Sequence, residues 1–177
     1  IQEKDLVDEK CATHRTKPQW IKEKNYFFKL SKYEEVILKH INENQNFILP
    51  LTRRNEVLRF IEDGLKDISI SRAVTDWGIK LPFDENCVAY VWVDALISYI
   101  SALDGFNSEK FSKFWPCDLH IIGKDIIRFH CVIWPAILLS AGLPLPKAIW
   151  SHGFISLKGE KMSKTRGITV NPVEVAE

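Results

Sequence analysis

A short basic loop near the end of the sequence carries the residues best suited to phosphate chemistry. Residues 159–167 hold three cations and two hydroxyls between two glycines: Lys161, Lys164, Arg166, Ser163 and Thr165. The two lysines are compact charges on flexible stems, so they can follow phosphoryl oxygens as charge builds up, while hydroxyls and backbone N–H groups add hydrogen bonds. The alternative is a solvated basic surface loop. The motifs elsewhere in the chain distinguish a phosphate-binding loop from this alternative.

The composition is that of an ordinary globular protein. The chain has 177 residues, of which 46% are hydrophobic and 27% charged, enough for one large core or for parts of two domains. Because 24 basic residues balance 23 acidic ones, no overall basic field indicates nucleic acid, and any RNA contact must be local. No run approaches the roughly 20 apolar residues of a membrane span. Scattered cysteines without disulfide spacing fit a reducing, cytoplasmic compartment: Cys11, Cys87, Cys117 and Cys131.

The N-terminal segment is polar and carries one pair of metal-ligand residues. Cys11 and His14 form a Cys-x-x-His pair, which can supply two of the four ligands of a tetrahedral zinc site, but no second pair lies nearby in the sequence. The first residue is Ile1 rather than Met, and no apolar signal stretch follows it. We therefore expect the chain to begin inside a longer protein.

Two helices and a short strand are predicted before residue 73. Ser31 and Glu34 have the spacing of a capping box, and the apolar spacing after them predicts a helix over 31–44. A second helix is predicted over 55–63, and a half-buried strand over 68–72 that ends on Arg72.

From residue 87 onward the pattern alternates between buried strands and helices. Continuous apolar runs at 88–93, 119–123 and 148–155 predict strands of a parallel sheet, with Asp94 as the N-cap of the next helix and Pro135 as a kink in a long one. This order predicts a doubly wound α/β fold, in which ligands bind at the carboxyl ends of the strands. The residues at those ends are Trp92, Asp94, Gly123, Asp125 and His152.

The motifs identify a family. Residues 161–165, with the letters KMSKT, closely resemble the KMSKS signature of class I aminoacyl-tRNA synthetases, with Thr165 in place of the final Ser. Residues 90–100, 120–130, 134–136, 142–144 and 152–154 occur in the order and spacing of the methionyl-tRNA synthetases. The resemblance extends upstream to Cys11 and covers essentially the whole chain. The His-Ile-Gly-His signature of the first half of the family's Rossmann fold is missing, and we expect it upstream of this chain.

The resemblance implies a binding slot for the methionine side chain. The residues that match the family's contacts are Trp92, Ala95, Leu96, Tyr99, Ile126 and His130. The assignment makes physical sense, because a polarizable thioether gains from aromatic contacts and a shaped apolar slot can select its unbranched stem. A neutral His130 could hydrogen-bond Tyr99 or the sulfur. The alternative is that these side chains are ordinary core, which applies most to Leu96 and Ile126.

The resemblance also implies an ATP site and a set of catalytic cations. The nucleotide would be bound by Gly123, Asp125, His152, Ile155, Lys161, Ser163 and Lys164. Lys161 and Lys164 would act with Mg²⁺ on the phosphates, and Arg72 would hold the polar end of the amino acid and the leaving phosphates. Asp125 could instead be a simple helix N-cap, and Arg72 could be part of a surface ion pair.

The reaction that the family carries out is ATP-dependent activation of methionine, followed by transfer to tRNA(Met). The resemblance divides the chain into the end of an inserted connective domain and its return to the core (1–72), the second half of a Rossmann-like domain (73–150), and the lysine loop with the start of a stem-contact domain (151–177). It also makes Cys11 and His14 half of a zinc site.

The alternatives are a sister synthetase for another apolar amino acid and a non-catalytic nucleotide- or RNA-binding paralogue. Residues 1–177 alone are expected to be inactive, because the crevice needs both halves.

Overall fold

The order of elements follows the predicted alternation of strands and helices. The computed structural model describes residues 6–11, 15–19, 22–73, 77–154, 156–157, 160–162, 170–171 and 173. Its strands are β1 (Leu6–Val7), β2 (Lys10–Cys11), β3 (Phe27–Phe28), β4 (Ile48–Leu49), β5 (Ile68–Ser69), β6 (Ser71–Arg72), β7 (Lys80–Leu81), β8 (Asp84–Ala89), β9 (His120–Gly123), β10 (Ile149–His152), β11 (Ser156–Leu157) and β12 (Glu160–Lys161). Its helices are α1 (Glu34–Glu43), α2 (Leu51–Glu62), α3 (Val91–Ser101), α4 (Glu109–Phe114) and α5 (Trp134–Ser140).

A parallel sheet in the order β4-β10-β9 confirms the predicted α/β fold. Ile149 of β10 pairs with Ile48 on one side and with His120 on the other. The predicted strands at 119–123 and 148–155 are therefore present as β9 and β10. The sequence did not predict β4, because two apolar residues before a proline carry no periodic signal.

One hydrophobic core joins the sheet to the two helices that precede it. α1 contributes Ile37 and Ile41, and α2 contributes Val57 and Ile61, in each case four residues apart on one helix face. The full core is Leu30, Ile37, Ile41, Phe47, Ile48, Val57, Ile61, Leu65, Ile122, Ile127, Cys131, Val132, Ala136 and Ile149. α1 and α2 thus share one core with the parallel sheet, and a second cluster joins α3, α4 and α5 through Leu96, Phe111 and Trp134.

The predicted capping box of α1 is absent. Ser31 lies in a 3-10 turn that precedes α1, and its hydroxyl donates to the Asp67 carboxylate at 2.7 Å. The Glu34 carboxylate accepts the backbone N–H of Leu65 at 2.7 Å. Both side chains therefore tie α1 to residues 65–67 rather than to the turn that begins the helix. For α2 the predicted end is correct, since Gly64 follows it with φ of 91°, but the helix begins at Leu51 instead of residue 55.

The prediction that residues 88–93 form a strand of the parallel sheet was wrong. β8 ends at Ala89 and pairs antiparallel with β6 and β7, and α3 begins at Val91 with Tyr90 rather than Asp94 at its N-cap. The β-branched and aromatic residues of this run favour a strand locally, but burial of Leu96 and Ile100 at helical spacing decides the conformation. Trp92 accordingly lies in the first turn of α3 and not at the end of a strand.

The long helix predicted after residue 124 consists of three segments. A 3-10 turn at Lys124–Ile126 leads to a π-helical segment at Phe129–Ile133, and α5 follows with Pro135 in its first turn. A proline cannot donate to the preceding turn, and the wider π-helical turn lies at the point where that hydrogen bond is missing. No helix in the described part of the chain is long and apolar enough to cross a membrane.

Candidate active site

Two neighbouring helical segments carry the side chains predicted for the methionine slot. α3 carries Trp92, Ala95, Leu96 and Tyr99, and it contacts the π-helical segment that carries His130. Leu96 is 1% exposed and packs with Trp134 and Leu138, as its alternative assignment to the core requires. Ile126 is partly buried against the main core.

Tyr99 and His130 are joined by a hydrogen bond. Tyr99 Oη and His130 Nε2 lie 2.9 Å apart, and His130 Nδ1 lies 3.2 Å from the carbonyl oxygen of Ile126. A carbonyl oxygen can only accept, so Nδ1 carries the proton, and Nε2 of a neutral ring accepts from the tyrosine hydroxyl. Burial lowers the pKa of His130, which keeps the ring neutral near pH 7. The two side chains therefore form a fixed, uncharged wall.

Phe129 adds an aromatic contact that the sequence did not predict. Its ring stacks on Trp92 with centroids 3.9 Å apart and 16° between the planes. Neighbouring His130 was predicted from the family motif, but nothing in the sequence indicated which side of the helix Phe129 would occupy. The stack fixes the Trp92 indole across the gap between α3 and the π-helical segment.

Gly123 and His152 lie side by side at the carboxyl ends of β9 and β10, as the fold predicts. The Asp125 carboxylate folds back over Gly123, where a Cβ atom added to the glycine would lie only 2.7 Å from Asp125 Oδ1. The 3-10 turn that contains Asp125 has no side-chain hydrogen bond at its N-cap, so the alternative role of Asp125 as a cap is not realised. Only a glycine leaves room for this carboxylate position.

Arg72 is oriented by its immediate neighbours. Its guanidinium donates to Ser69 Oγ at 2.9 Å and to the Ser71 carbonyl at 2.6 Å, and it lies 4.1 Å from the centre of the Tyr90 ring. Within the described residues it forms no salt bridge, so the alternative of a surface ion pair is not found. Arg72 and Asp125 both line a cavity of about 1080 Å³.

The lysine loop is described only at its beginning. β11 and β12 form an antiparallel hairpin that pairs Lys161 with Ser156 along the backbone. Ile155, Ser163 and Lys164 lie outside the described residues, as does His14 of the predicted metal pair. Before the hairpin, His152 Nδ1 lies 2.6 Å from the Gly153 carbonyl, and Lys124 Nζ lies 4.5 Å from the centre of the Phe154 ring. His152 and Lys124 therefore place two basic side chains just before the hairpin.

Comparison with known proteins gives one consistent family. The whole chain, residues 1–177, matches the family model described as tRNA synthetases class I (M). It is 54% identical over 164 residues to the methionine-tRNA ligase of Rhizobium meliloti (strain 1021), covering 92% of this chain and 32% of that protein. It is 49% identical over 177 residues to the methionine-tRNA ligase of Caldanaerobacter subterraneus subsp. tengcongensis, covering 99% of this chain and 28% of that protein. The chain thus spans about a third of the length of these relatives.

A solved structure has the same fold. The crystal structure of Mycobacterium tuberculosis methionyl-tRNA synthetase bound by methionyl-adenylate matches this chain with a TM-score of 0.87 at 47% sequence identity. The match covers 99% of this chain and 36% of that chain. The free form of the same enzyme matches with a TM-score of 0.79 over 87% of this chain.

Proposed function

Because the chain belongs to the family of class I (M) tRNA synthetases, we propose that the protein containing it is a methionine-tRNA ligase. The reaction is attack of the methionine carboxylate on the α-phosphate of ATP with release of pyrophosphate, followed by transfer of the methionyl group to tRNA(Met). The observation that supports this best is the uncharged wall of Tyr99 and His130, together with the Trp92 ring stacked on Phe129. It offers aromatic surface to a thioether and no charge that would attract a polar amino acid.

The methionine side chain lies, in this proposal, between α3 and the π-helical segment. The contacting residues are Trp92, Ala95, Leu96, Tyr99, Ile126 and His130. Leu96 and His130 act mainly from behind, because they are 1% and 3% exposed, and shape the slot through the side chains packed on them. Discrimination by such a slot is limited to about 1–3 kcal/mol per methylene group, so the fixed positions of the ring side chains matter.

ATP occupies the carboxyl ends of β9 and β10. Gly123 allows close approach, Asp125 accepts from the ribose hydroxyls, and His152 with the backbone of Ile155 lies by the adenine. Lys161, Ser163 and Lys164 hold the phosphates, and Arg72, preset by Ser69 and Tyr90, holds the carboxylate and the leaving phosphates. Bound Mg²⁺ would add charge neutralisation on the phosphates. The protein contributes positioning and preorganised charge rather than covalent chemistry.

Gly123→Ala is expected to weaken ATP binding selectively. The new Cβ would lie 2.7 Å from Asp125 Oδ1 and force the carboxylate away from the ribose, whereas the φ of −74° at this position suits alanine. We expect the KM for ATP to rise about tenfold, the scale of one hydrogen bond to a charged group, with the KM for methionine unchanged. Gly153→Ala is the matched control, because its Cβ would meet no atom of the described residues within 4 Å. An unaltered KM for ATP in Gly123→Ala would remove Asp125 from the ribose site.

A structural zinc ion is proposed at Cys11 and His14. Cys11 is buried at the end of the β1–β2 hairpin, and its carbonyl oxygen accepts the N–H of Arg15 at 2.8 Å. A thiolate and an imidazole three residues apart have the donor chemistry of half a tetrahedral zinc site. Within the described residues no group of three or more metal-binding side chains occurs, so the other ligands must come from elsewhere.

Metal analysis of the natural protein tests this site. We expect about one zinc ion per chain, lost in Cys11→Ser and in His14→Ala and retained in Cys87→Ala, which removes a buried thiol from β8. Absence of zinc from the purified wild-type protein, together with ready alkylation of Cys11, would overturn the assignment.

The remaining parts of the proposal concern organisation. Residues 1–72 contain the end of the inserted domain and the return to the core, 73–150 the second half of the Rossmann-like domain, and 151–177 the lysine loop and the start of the stem-contact domain. The partners are methionine, ATP and tRNA(Met), and the compartment is the cytoplasm. The near-zero net charge of this chain does not argue against tRNA binding, because local basic patches suffice for RNA contact.

The decisive experiment is pyrophosphate exchange by the natural protein with a panel of amino acids. We expect exchange with methionine and little with isoleucine, leucine, valine or cysteine. Strong exchange with one of those others would indicate a sister synthetase. Binding of ATP without exchange for any amino acid would indicate the non-catalytic paralogue.

A further inference from the structure

A second buried histidine lies behind the proposed methionine slot. His120 is the first residue of β9 and is 6% exposed. Its ring centroid lies 4.5 Å from that of Tyr99 and 5.8 Å from that of His130. The proposed function assigns no role to His120, although it contacts the side chain that forms one wall of the slot.

Cys117 holds the His120 ring from the other side. Cys117 Sγ and His120 Nε2 lie 3.5 Å apart, within hydrogen-bonding range for sulfur. Burial raises the pKa of the Cys117 thiol, which therefore stays protonated and can donate to Nε2. The Cys117 backbone is itself fixed, since its carbonyl accepts the N–H of Lys147 at 2.9 Å, just before β10. The His120 ring is thus held by Cys117 and packs against Tyr99.

His120 is also suited to pack as a neutral ring. Burial, with the nearby His130, lowers its pKa to about 4, so it carries no charge at physiological pH. Trp115 lies behind it with its ring centroid 6.1 Å away. Tyr99 itself keeps part of its surface open, since it is 37% exposed. The Tyr99 hydroxyl is held by His130, and of the two further rings beside it His120 is the nearer, with centroids 4.5 Å apart against 6.0 Å for Trp134.

We propose that His120, held by Cys117, is a positioning residue that fixes the Tyr99 ring and thereby sets the depth of the slot. The inference rests on the proposed function, because it assumes that Tyr99 lines the methionine site. Loss of the His120 ring leaves a space behind Tyr99, into which the tyrosine ring can retreat. A longer side chain then fits, and the shorter natural one loses contact.

The test is kinetic and uses the natural enzyme. His120→Ala is expected to raise the KM for methionine about tenfold and to lower the preference for methionine over ethionine, one methylene longer, by a similar factor. The kcat and the KM for ATP should stay within about twofold, because no phosphate contact changes. A purely structural role would lower the amount of folded enzyme without altering this preference.

Two cysteine variants keep the inference falsifiable if His120→Ala does not fold. Cys117→Ala leaves the His120 ring in place but frees it, so we expect the same changes at about threefold. Cys87→Ala is the control: its thiol lies in β8, 3.7 Å from Asp84 Oδ2, and it should leave the KM for methionine unchanged. Unchanged KM and unchanged preference in Cys117→Ala and in any folded His120→Ala would overturn the inference while the proposed function stands. If the wild-type enzyme shows no methionine-dependent exchange, both fall.

Discussion

Replacing Lys164 by alanine is expected to lower the rate of methionyl-adenylate formation by roughly 10²–10³, the scale of losing one preorganised charge donor. The negative charge on the pyrophosphate that leaves builds up in the transition state, so a lysine that meets it there changes the rate more than substrate binding. The affinity for methionine should change little, because the slot that we propose is formed by residues of α3 and of the segment 126–130. Lys161→Ala should behave in a similar way.

Single-turnover formation of the adenylate in the natural enzyme measures this effect directly. Lys110→Ala is the matched control, since it removes the same charge from an exposed surface pair with Asp104. A wild-type rate of adenylate formation in Lys164→Ala would exclude the loop from the mechanism. Equal losses in both variants would point to long-range charge rather than to contact with phosphate.

Replacing His130 by alanine is expected to weaken methionine binding by about 1–3 kcal/mol, or roughly 10- to 200-fold. The change removes a buried ring from the wall and leaves the Tyr99 hydroxyl without the acceptor that lies 2.9 Å away. Trp92→Ala should act in the same direction, because it opens the slot and ends the stack with Phe129. The KM for ATP should stay unchanged in both variants.

Tyr99→Phe separates the two contributions of this wall. It keeps the ring and removes only the hydroxyl, so the loss should be smaller than in His130→Ala, about threefold to tenfold. Equilibrium binding of methionine, measured by calorimetry, distinguishes these effects from changes in rate. Normal methionine affinity in both Trp92→Ala and His130→Ala would show that the slot has been assigned to the wrong place.

The sequence predicted β9 and β10 from their apolar runs. In the structure only one face of each strand is buried, since Ile122 and Ile149 are buried whereas Ile121 and Trp150 are exposed, so the prediction was right about the strands but not about burial on both faces. The start of α3 was not predictable in the same way, since Val91 and Trp92 favour a strand by type, and only the packing of Leu96 and Ile100 makes the segment helical. β4 has two residues and carries no pattern of its own. The partners of Ser31 and Glu34 lie at residues 65–67, beyond the reach of a local rule.

For the candidate site, too, some features were predictable from the sequence and others were not. Residue types and spacing predicted that Gly123, Asp125 and His152 lie together, and the structure brings them to the carboxyl ends of two neighbouring strands. The contacts that orient the site residues were not predictable, since they join segments distant in sequence. The Tyr99–His130 hydrogen bond spans 31 positions, and the Arg72 guanidinium of β6 faces the ring of Tyr90, the N-cap residue of α3. Spacing rules describe one element at a time, whereas these contacts depend on how two elements pack.

The pairing of Ile48 with Ile149 has a consequence for synthesis of the protein on the ribosome. β4, α1 and α2 leave the ribosome about 100 residues before β10, which at 5–20 residues per second is an interval of roughly 5–20 s. During this interval the faces of α1 and α2 that bury Ile41 and Ile61 can contact each other but not β9 and β10. The growing chain therefore leaves part of these apolar faces uncovered for seconds, long enough for a chaperone to bind them, and the contacts with Ile149 form only after β10 has emerged.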